Sequence, residues 1–172
     1  MLRFWFEEHA ADWFVKNPAF DGAIRARFLA LHDAAAEGHL ALWTDEASNC
    51  LALVIVLDQF PRNMFRGNAR AFAADPLARA AARVILQRGW HKAMQQPAQL
   101  FAYLPFVHSE SLADQDLSVQ LMKDFDTERL RYAVRHREII QRFGRFPHRN
   151  GILGRESTAA EIEFLKLPGS GF

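Results

Sequence analysis

The chain has 172 residues, of which 50% are hydrophobic and 24% are charged, and its formal net charge is +1. This apolar content excludes an intrinsically disordered protein. The single cysteine, Cys50, excludes an internal disulfide and a cysteine-based zinc site. The longest apolar run, from Leu51 to Leu57, is far shorter than the roughly 20 residues that cross a bilayer, and the first residues lack the pattern of a signal peptide. We therefore expect one cytoplasmic domain spanning 1–172, since roughly 100–200 residues commonly form one core.

Hydrophobic periodicity predicts an all-α protein, because apolar residues recur every three or four positions along nearly the whole chain. The first helix is expected from Pro18 to about Gly38. The second is expected from about Asp45 to Phe60, where Pro61 should end it. Its centre is apolar on every side, which also fits a buried β-strand, but its length and helical neighbours favour a helix.

The rest of the chain continues this pattern. A third helical region is expected over residues 69–88, with Pro76 beginning a fresh turn and Gly89 ending the helix. Residues 90–104 form the least regular section. Later helices are expected over 112–123, over 127–143, and from Ser157 or Thr158 to Pro168, the last with a capping box at Thr158 and Glu161. Residues 168–172 are expected to form a frayed tail.

Three stretches combine polar side chains with large apolar neighbours. The first follows the apolar second helix, the second surrounds the sequence LPFVHSE, and the third extends from the 127–143 helix into FPHRN. Charged groups beside buried chain need partners of opposite charge or hydrogen bonds. The candidate ligand-binding residues are Asp58, Arg62, Asn63, Arg66, His108, Ser109, Glu110, His136, Arg145, His148, Arg149, Asn150 and Arg155.

This set favours recognition of an anion. The guanidinium groups offer planar forks that match a carboxylate or phosphate, and the histidines add donors. One alternative is a network of structural ion pairs that joins helices through the same residues. A second alternative concerns His136, which lies on the apolar face of its helix and also fits a core histidine satisfied by one hydrogen bond.

Other chemistries have weaker support in the sequence. No metal or cofactor is expected, because HExxH, the zinc deaminase cysteine pair, GxGxxG and GxxxxGK[ST] are all missing. Ser109 and a distant histidine could supply a nucleophile and a base, but there is no GxSxG elbow. Residues 126–155 are rich in arginine, yet three acids interrupt them, so nucleic acid is not an expected partner. No membrane partner is expected either.

Four longer motifs cover nearly the whole chain: FWFEEHAADWF, LALVIVLDQFPRNMFRG, FAYLPFVHSESLADQ and HREIIQRFGRFPHRNGILGREST. With these motifs the chain resembles a widespread bacterial family of uncharacterised all-helical proteins, a domain of unknown function with a tetratricopeptide-like fold. The resemblance implies an α/α superhelix of antiparallel helix pairs. It implies no established activity and no catalytic residues.

The sequence therefore predicts an all-α domain in which the three polar stretches converge on one pocket. The preferred function is binding of a small anionic ligand or an acidic peptide terminus in that pocket. A hydrolase is a second hypothesis, with His108, Glu110 and His136 as candidate catalytic residues and arginines holding negative charge. A third is a protein-interaction scaffold whose polar residues are purely structural.

Overall fold

The computed structural model describes residues 1–171. Over these residues the protein contains eight α-helices and no β-strand, which confirms the predicted all-α class. The helices are α1 Pro18–Ala36, α2 Ala47–Met64, α3 Arg70–Ala73, α4 Asp75–Gln87, α5 Ala98–Val107, α6 Leu112–Met122, α7 Thr127–Phe143 and α8 Ala159–Leu165. Within the described part of the chain, no helix is both long and apolar enough to span a membrane.

The chain divides into two compact units. Unit 1 consists of Met1–Arg66 and Arg70–Pro105, and unit 2 consists of Gly67–Ala69 and the residues from Phe106 onward. The division falls near the end of α5. A single domain over 1–172 stays a prediction.

Unit 1 is organised around α2, which packs against α1 and α4. Every residue of α2 from Cys50 to Pro61 is buried, which explains why this helix is apolar on every side. Aromatic rings surround it. The ring of Trp5 lies 5.6 Å from that of Phe60 and 5.4 Å from that of Phe101, measured between centroids. Burial of such large rings is the main source of stability available to this unit.

The predicted end of α2 at Phe60 is wrong, because the helix continues through Pro61 to Met64. Proline removes one backbone donor, but contacts with α1 hold the last turn in place. Arg25 of α1 donates to the carbonyl of Met64 (2.8 Å), and Asn63 donates to the carboxylate of Asp21 (2.8 Å). Tertiary contacts therefore override the local stop signal.

The predicted irregular section over residues 90–104 is also wrong in its second part. A short 3₁₀ turn, Trp90–Lys92, is followed by α5, which contains Pro105 near its end. All residues from Leu100 to Val107 are buried. Packing of this apolar helix outweighs the proline, since most helical stability in proteins comes from tertiary burial.

Unit 2 contains α6, α7 and α8, and α6 packs against α7. One apolar cluster of this unit consists of the buried residues Ile139, Ile140 and Phe146, with Phe143 and Phe164 partly buried against them. α7 has the predicted bounds. It ends at Gly144, whose φ of 69° lies in the left-handed region that favours glycine.

The capping box predicted at Thr158 and Glu161 is confirmed, and it begins α8. Beyond α8, Ser170 is buried and its hydroxyl donates to the carbonyl of Leu165 (3.0 Å). Phe172 lies outside the described residues. A frayed tail over 168–172 stays a prediction.

Candidate functional site

The predicted site residues are divided between the two units. Asp58, Arg62, Asn63 and Arg66 belong to unit 1. The His108 stretch and the stretch from His136 to Arg155 belong to unit 2, where the structure brings them together. A common pocket for all three stretches stays a prediction.

In unit 1, Arg62 is bonded to two carboxylates. Its two terminal nitrogens donate to the two oxygens of Asp75 (2.9 and 3.0 Å), and one of them also lies 3.3 Å from Asp58 Oδ1. Asp58 is 1% exposed and accepts a hydrogen bond from the amide of Gln59 (2.6 Å). This arrangement places one guanidinium between two buried carboxylates, and it engages the guanidinium fork fully.

Arg66 and Asn63 both donate hydrogen bonds to the carboxylate of Asp21 in α1. Arg66 donates through Nε (2.5 Å) and a terminal nitrogen (2.9 Å), and Asn63 donates to the same group (2.8 Å). The bidentate contact ties the end of α2 to α1. Its geometry is that of a structural ion pair.

In unit 2, Glu110 joins the His108 stretch to the last stretch. Glu110 Oε1 accepts from the backbone N–H of Phe146 (2.8 Å), and Arg155 donates to both carboxylate oxygens (2.7 and 3.0 Å). Burial by itself would raise the pKa of Glu110, but the Arg155 guanidinium and the Phe146 N–H outweigh it and lower the pKa below its usual value. Glu110 is therefore an ionised structural link.

Ser109 lies in a buried turn between α5 and α6. Its hydroxyl donates to Asp114 Oδ2 (2.7 Å). The side-chain amide of Gln115 donates to the carbonyls of Val107 and Ser109, both at 2.7 Å. These contacts hold the turn that positions His108 and Glu110.

His136 is 2% exposed and lies beneath the polar residues of unit 2. Its Nδ1 is 2.8 Å from the carbonyl of Tyr132, and because a carbonyl only accepts, Nδ1 carries the proton. Burial, with smaller contributions from His108, Arg149 and His148, lowers the pKa of His136 to about 3 against the opposing effect of that carbonyl. His136 is thus a neutral imidazole at neutral pH, as expected for a satisfied core histidine.

Phe146 is the common neighbour of two histidines and one arginine in this part of unit 2. Its ring centroid lies 5.5 Å from that of His136 and 5.6 Å from that of His148, and the guanidinium carbon of Arg149 lies 4.5 Å from it. Burial, together with the nearby charge of Arg149, lowers the pKa of His148 to about 4. The doublet of phenylalanine and proline before His148 was the available sequence signal for this packing.

The buried polar atoms of the same region that make no hydrogen bond within residues 1–171 include Asn150 Oδ1 and Arg155 Nε. The amide nitrogen of Asn150 donates to Ser157 (3.0 Å), and Arg155 also donates to the carbonyl of Phe146 (3.2 Å). Both residues therefore bridge backbone segments of the 145–157 loop.

Arg145 forms a bidentate ion pair with Glu161 of α8. Nε and a terminal nitrogen donate to the two carboxylate oxygens (2.7 and 2.8 Å), and the backbone N–H of Thr158 donates to Glu161 as well (2.7 Å). The guanidinium lowers the pKa of Glu161 to about 2, with help from Thr158. The same pairing raises the pKa of Arg145.

An open cleft of about 500 Å³ lies next to this ion pair, and we call it the α7–α8 cleft. It is lined by Arg142, Phe143, Arg145, Thr158, Ala160 and Glu161. The guanidinium carbon of Arg142 lies 4.6 Å from the ring centroid of Phe143, and within the described residues Arg142 makes no ion pair. Arg142 was not among the predicted site residues. Its place in the last turn of a helix, next to Phe143, gave no distinguishing signal.

The residues that the structure describes contain no group of three or more His, Cys, Asp or Glu side chains that could hold a metal ion.

No curated protein matches this chain. A solved structure that it resembles is described as a protein of unknown function, ATU0120, from Agrobacterium tumefaciens. The two are 44% identical, the match covers 96% of this chain and 94% of that one, and the TM-score is 0.92. Residues 1–169 match the model of a family described as bacterial protein of unknown function, DUF924. The chain therefore belongs to the DUF924 family of bacterial proteins.

Proposed function

We propose that this protein binds a small anionic ligand, or the carboxylate terminus of an acidic peptide, in the α7–α8 cleft of unit 2. We also propose that it is cytoplasmic and that its fold is tetratricopeptide-like. The observation that carries the binding proposal is the guanidinium of Arg142, which lines the cleft without a carboxylate partner within the described residues.

Four other arginines differ from Arg142, because their guanidinium groups are already occupied. The forks of Arg62, Arg66, Arg145 and Arg155 each make a bidentate contact with a protein carboxylate. An anion would have to displace an aspartate or glutamate to reach them. Arg142 requires no such exchange.

The cleft also offers what a carboxylate ligand requires besides charge. The hydroxyl oxygen of Thr158 accepts from the backbone N–H of Glu161, so its own hydrogen is available to a ligand oxygen. The negative charge of Glu161 is held by Arg145. The ring of Phe143 lies against the Arg142 guanidinium and offers apolar surface to the rest of the ligand.

Calorimetric titration with glutarate and with inorganic phosphate tests the proposal. We expect saturable binding of at least one of these anions, weakened about tenfold by Arg142→Ala, which corresponds to about 1.4 kcal/mol. Arg131→Ala is the matched control, since Arg131 is exposed on the same helix and outside the cleft. Equal weakening by both substitutions would show a non-specific charge effect and contradict the proposal.

The scaffold hypothesis has its own support, namely the bidentate ion pairs of the four arginines named above. The hydrolase hypothesis requires a nucleophile beside a base. His136 has an unprotonated Nε2, but the hydroxyl of Ser109 is directed to Asp114. Both hypotheses rank below anion binding.

A further inference from the structure

The charged side chains that line the α7–α8 cleft set the charge of the ligand that fits it. Those side chains are Arg142, Arg145 and Glu161. Glu161 is ionised at neutral pH, because its hydrogen bonds with the Arg145 guanidinium lower its pKa to about 2. Both arginines are protonated, as guanidinium groups in proteins always are. Two positive charges and one negative charge leave the lining with a single net positive charge.

This charge balance favours a ligand with one negative charge. The guanidinium of Arg142 can receive one carboxylate in a bidentate contact. A second anionic group on the ligand would find the fork of Arg145 already occupied by both oxygens of Glu161. It would also be repelled by the negative charge of Glu161. The cleft is therefore better matched to a monoanion than to a dianion.

Apolar surface borders the Arg142 guanidinium. Phe143 and Ala160 line the cleft together with Arg142. The ring centroid of Phe164 lies 5.1 Å from that of Phe143 and 5.9 Å from the guanidinium carbon of Arg142. Ala160 and Phe164 are four residues apart in α8, so they lie on the same side of this helix. A ligand held by Arg142 therefore meets two aromatic rings and a methyl group.

We propose that the α7–α8 cleft selects a monocarboxylate that carries an apolar group, an inference that rests on the proposed function of this cleft. The carboxylate would accept two hydrogen bonds from Arg142, and the apolar group would lie against Phe143 and Ala160. Removal of that group from water contributes to affinity in proportion to the apolar area that is buried. A dicarboxylate would have to place its second charge against the same apolar surface, which costs desolvation of that charge.

The carboxylate could belong to a free small molecule or to the last residue of a peptide, and the recognition chemistry is the same for both. The experiment uses 3-phenylpropionate for the first source and N-acetylphenylalanine for the second. Each is titrated into the whole protein by calorimetry, beside glutarate and inorganic phosphate. Pentanoate is compared with glutarate, because the two have the same number of carbons and differ in the second carboxylate. N-acetylphenylalanine amide is the control ligand without a charge.

We expect at least one of the two aromatic monocarboxylates to bind at least about tenfold more tightly than glutarate. Pentanoate should also bind more tightly than glutarate, and the amide should not bind saturably. Binding of both aromatic acids supports a free acid as sufficient ligand, and binding of N-acetylphenylalanine alone supports a peptide terminus. The proposal is overturned if glutarate or phosphate binds as tightly as the better aromatic acid, if glutarate binds more tightly than pentanoate, or if the amide binds as tightly as its acid.

Glu161→Gln tests the part of the argument that depends on charge. Glutamine can still accept from the Thr158 N–H in the capping box, while the loss of the negative charge releases the Arg145 fork. Binding of glutarate should strengthen at least about threefold relative to binding of 3-phenylpropionate. Glu163→Gln is the matched control, since Glu163 lies on the same helix, is 70% exposed and does not line the cleft. An unchanged ratio in folded Glu161→Gln protein would contradict the proposal, and the comparison of wild-type ligands decides the matter if this variant does not fold.

Failure of this inference can be distinguished from failure of the proposed function. If glutarate or phosphate binds saturably, loses affinity in Arg142→Ala and binds as tightly as the aromatic acids, the inference is wrong and anion binding in the cleft stands. If none of these anions binds saturably, both proposals are wrong.

Discussion

The two units of this protein are stabilised in different ways. Unit 1 has an extensive apolar core in which α2 is enclosed, with Trp5, Phe60 and Phe101 fully buried. Unit 2 has a smaller apolar core, and its buried residues include His136 and Glu161. Unit 1 also buries polar groups, among them Asp58, but the share of apolar side chains in its interior is much larger.

The two units should therefore differ in what destabilises them. Apolar burial depends on the volume that the side chains fill and not on pH. Buried imidazoles and carboxylates depend on their protonation state and on single partners. Unit 1 should therefore respond mainly to changes of side-chain size, and unit 2 should also respond to acid.

The largest effect is expected from Phe60→Ala in unit 1. Removing this fully buried ring should lower the free energy of unfolding by about 3–5 kcal/mol, because a cavity remains beside Trp5. Urea unfolding followed by tryptophan fluorescence measures it, since all four tryptophans lie in unit 1. Phe14→Ala is the control, because Phe14 is 67% exposed and its loss should cost below about 1 kcal/mol. Equal costs for the two substitutions would contradict an apolar basis for unit 1.

Acid is expected to lower the free energy of unfolding by an intermediate amount, and this loss should originate in unit 2. The pKa of His136 is about 3 in the folded protein and about 6.5 when unfolded, so the unfolded chain binds more protons between these values. The stabilisation is complete above pH 6.5 and is lost as the pH falls toward 3, on the order of 2–3 kcal/mol between pH 7 and pH 4.5. His148, with a pKa of about 4, acts in the same direction. Below about pH 4.5, protonation of Glu161 adds to the loss, since its pKa is about 2.

Urea unfolding at pH 7, 5.5 and 4.5, followed by circular dichroism, measures this acid effect. His136→Gln removes one titrating group, so its stability should fall less steeply with acid than that of the wild type, whatever its stability at pH 7. A wild-type stability that is the same at pH 7 and pH 4.5 would show that unit 2 does not depend on neutral histidines.

The smallest effects are expected from two glycines that differ in backbone geometry. Gly144 ends α7 of unit 2 in the left-handed region, so Gly144→Ala should lower stability by about 1 kcal/mol. Gly22 lies inside α1 of unit 1 with open space around its Cβ position, so Gly22→Ala should raise stability by about 0.5–1 kcal/mol. Thermal unfolding of both variants shows whether each substitution raises or lowers the melting temperature. Two shifts of the same sign would contradict the assignment of these backbone roles.

Local signals predicted several elements of the fold well. The end of α7 and the capping box of α8 followed from Gly144, Thr158 and Glu161, because caps and left-handed glycines act within a few residues of the chain. The predicted stop at Pro61 failed for the opposite reason. There, α1 holds the last turn of α2 through contacts that lie about forty residues away in sequence.

The residues of the candidate site could likewise be predicted only in part from the sequence. The sequence identified Arg62, Arg66, Arg145 and Arg155 as residues that need partners, since guanidinium groups beside buried chain are rarely left unpaired. It could not identify those partners. Asp75, Asp21, Glu161 and Glu110 lie 13 to 45 residues from the arginines they bind. Arg142 was missed, because a cleft is a property of packed helices and leaves no pattern in either helix alone.

By itself the sequence determined that this chain is all-α, where most helices begin and end, and which residue types carry charge into the interior. These follow from periodicity, caps and composition, which act over one or two helical turns. Only the tertiary structure decided which carboxylate each arginine meets, which histidines are held neutral by burial, and which guanidinium lines an open cleft. Those outcomes depend on distances and desolvation between segments far apart in the chain.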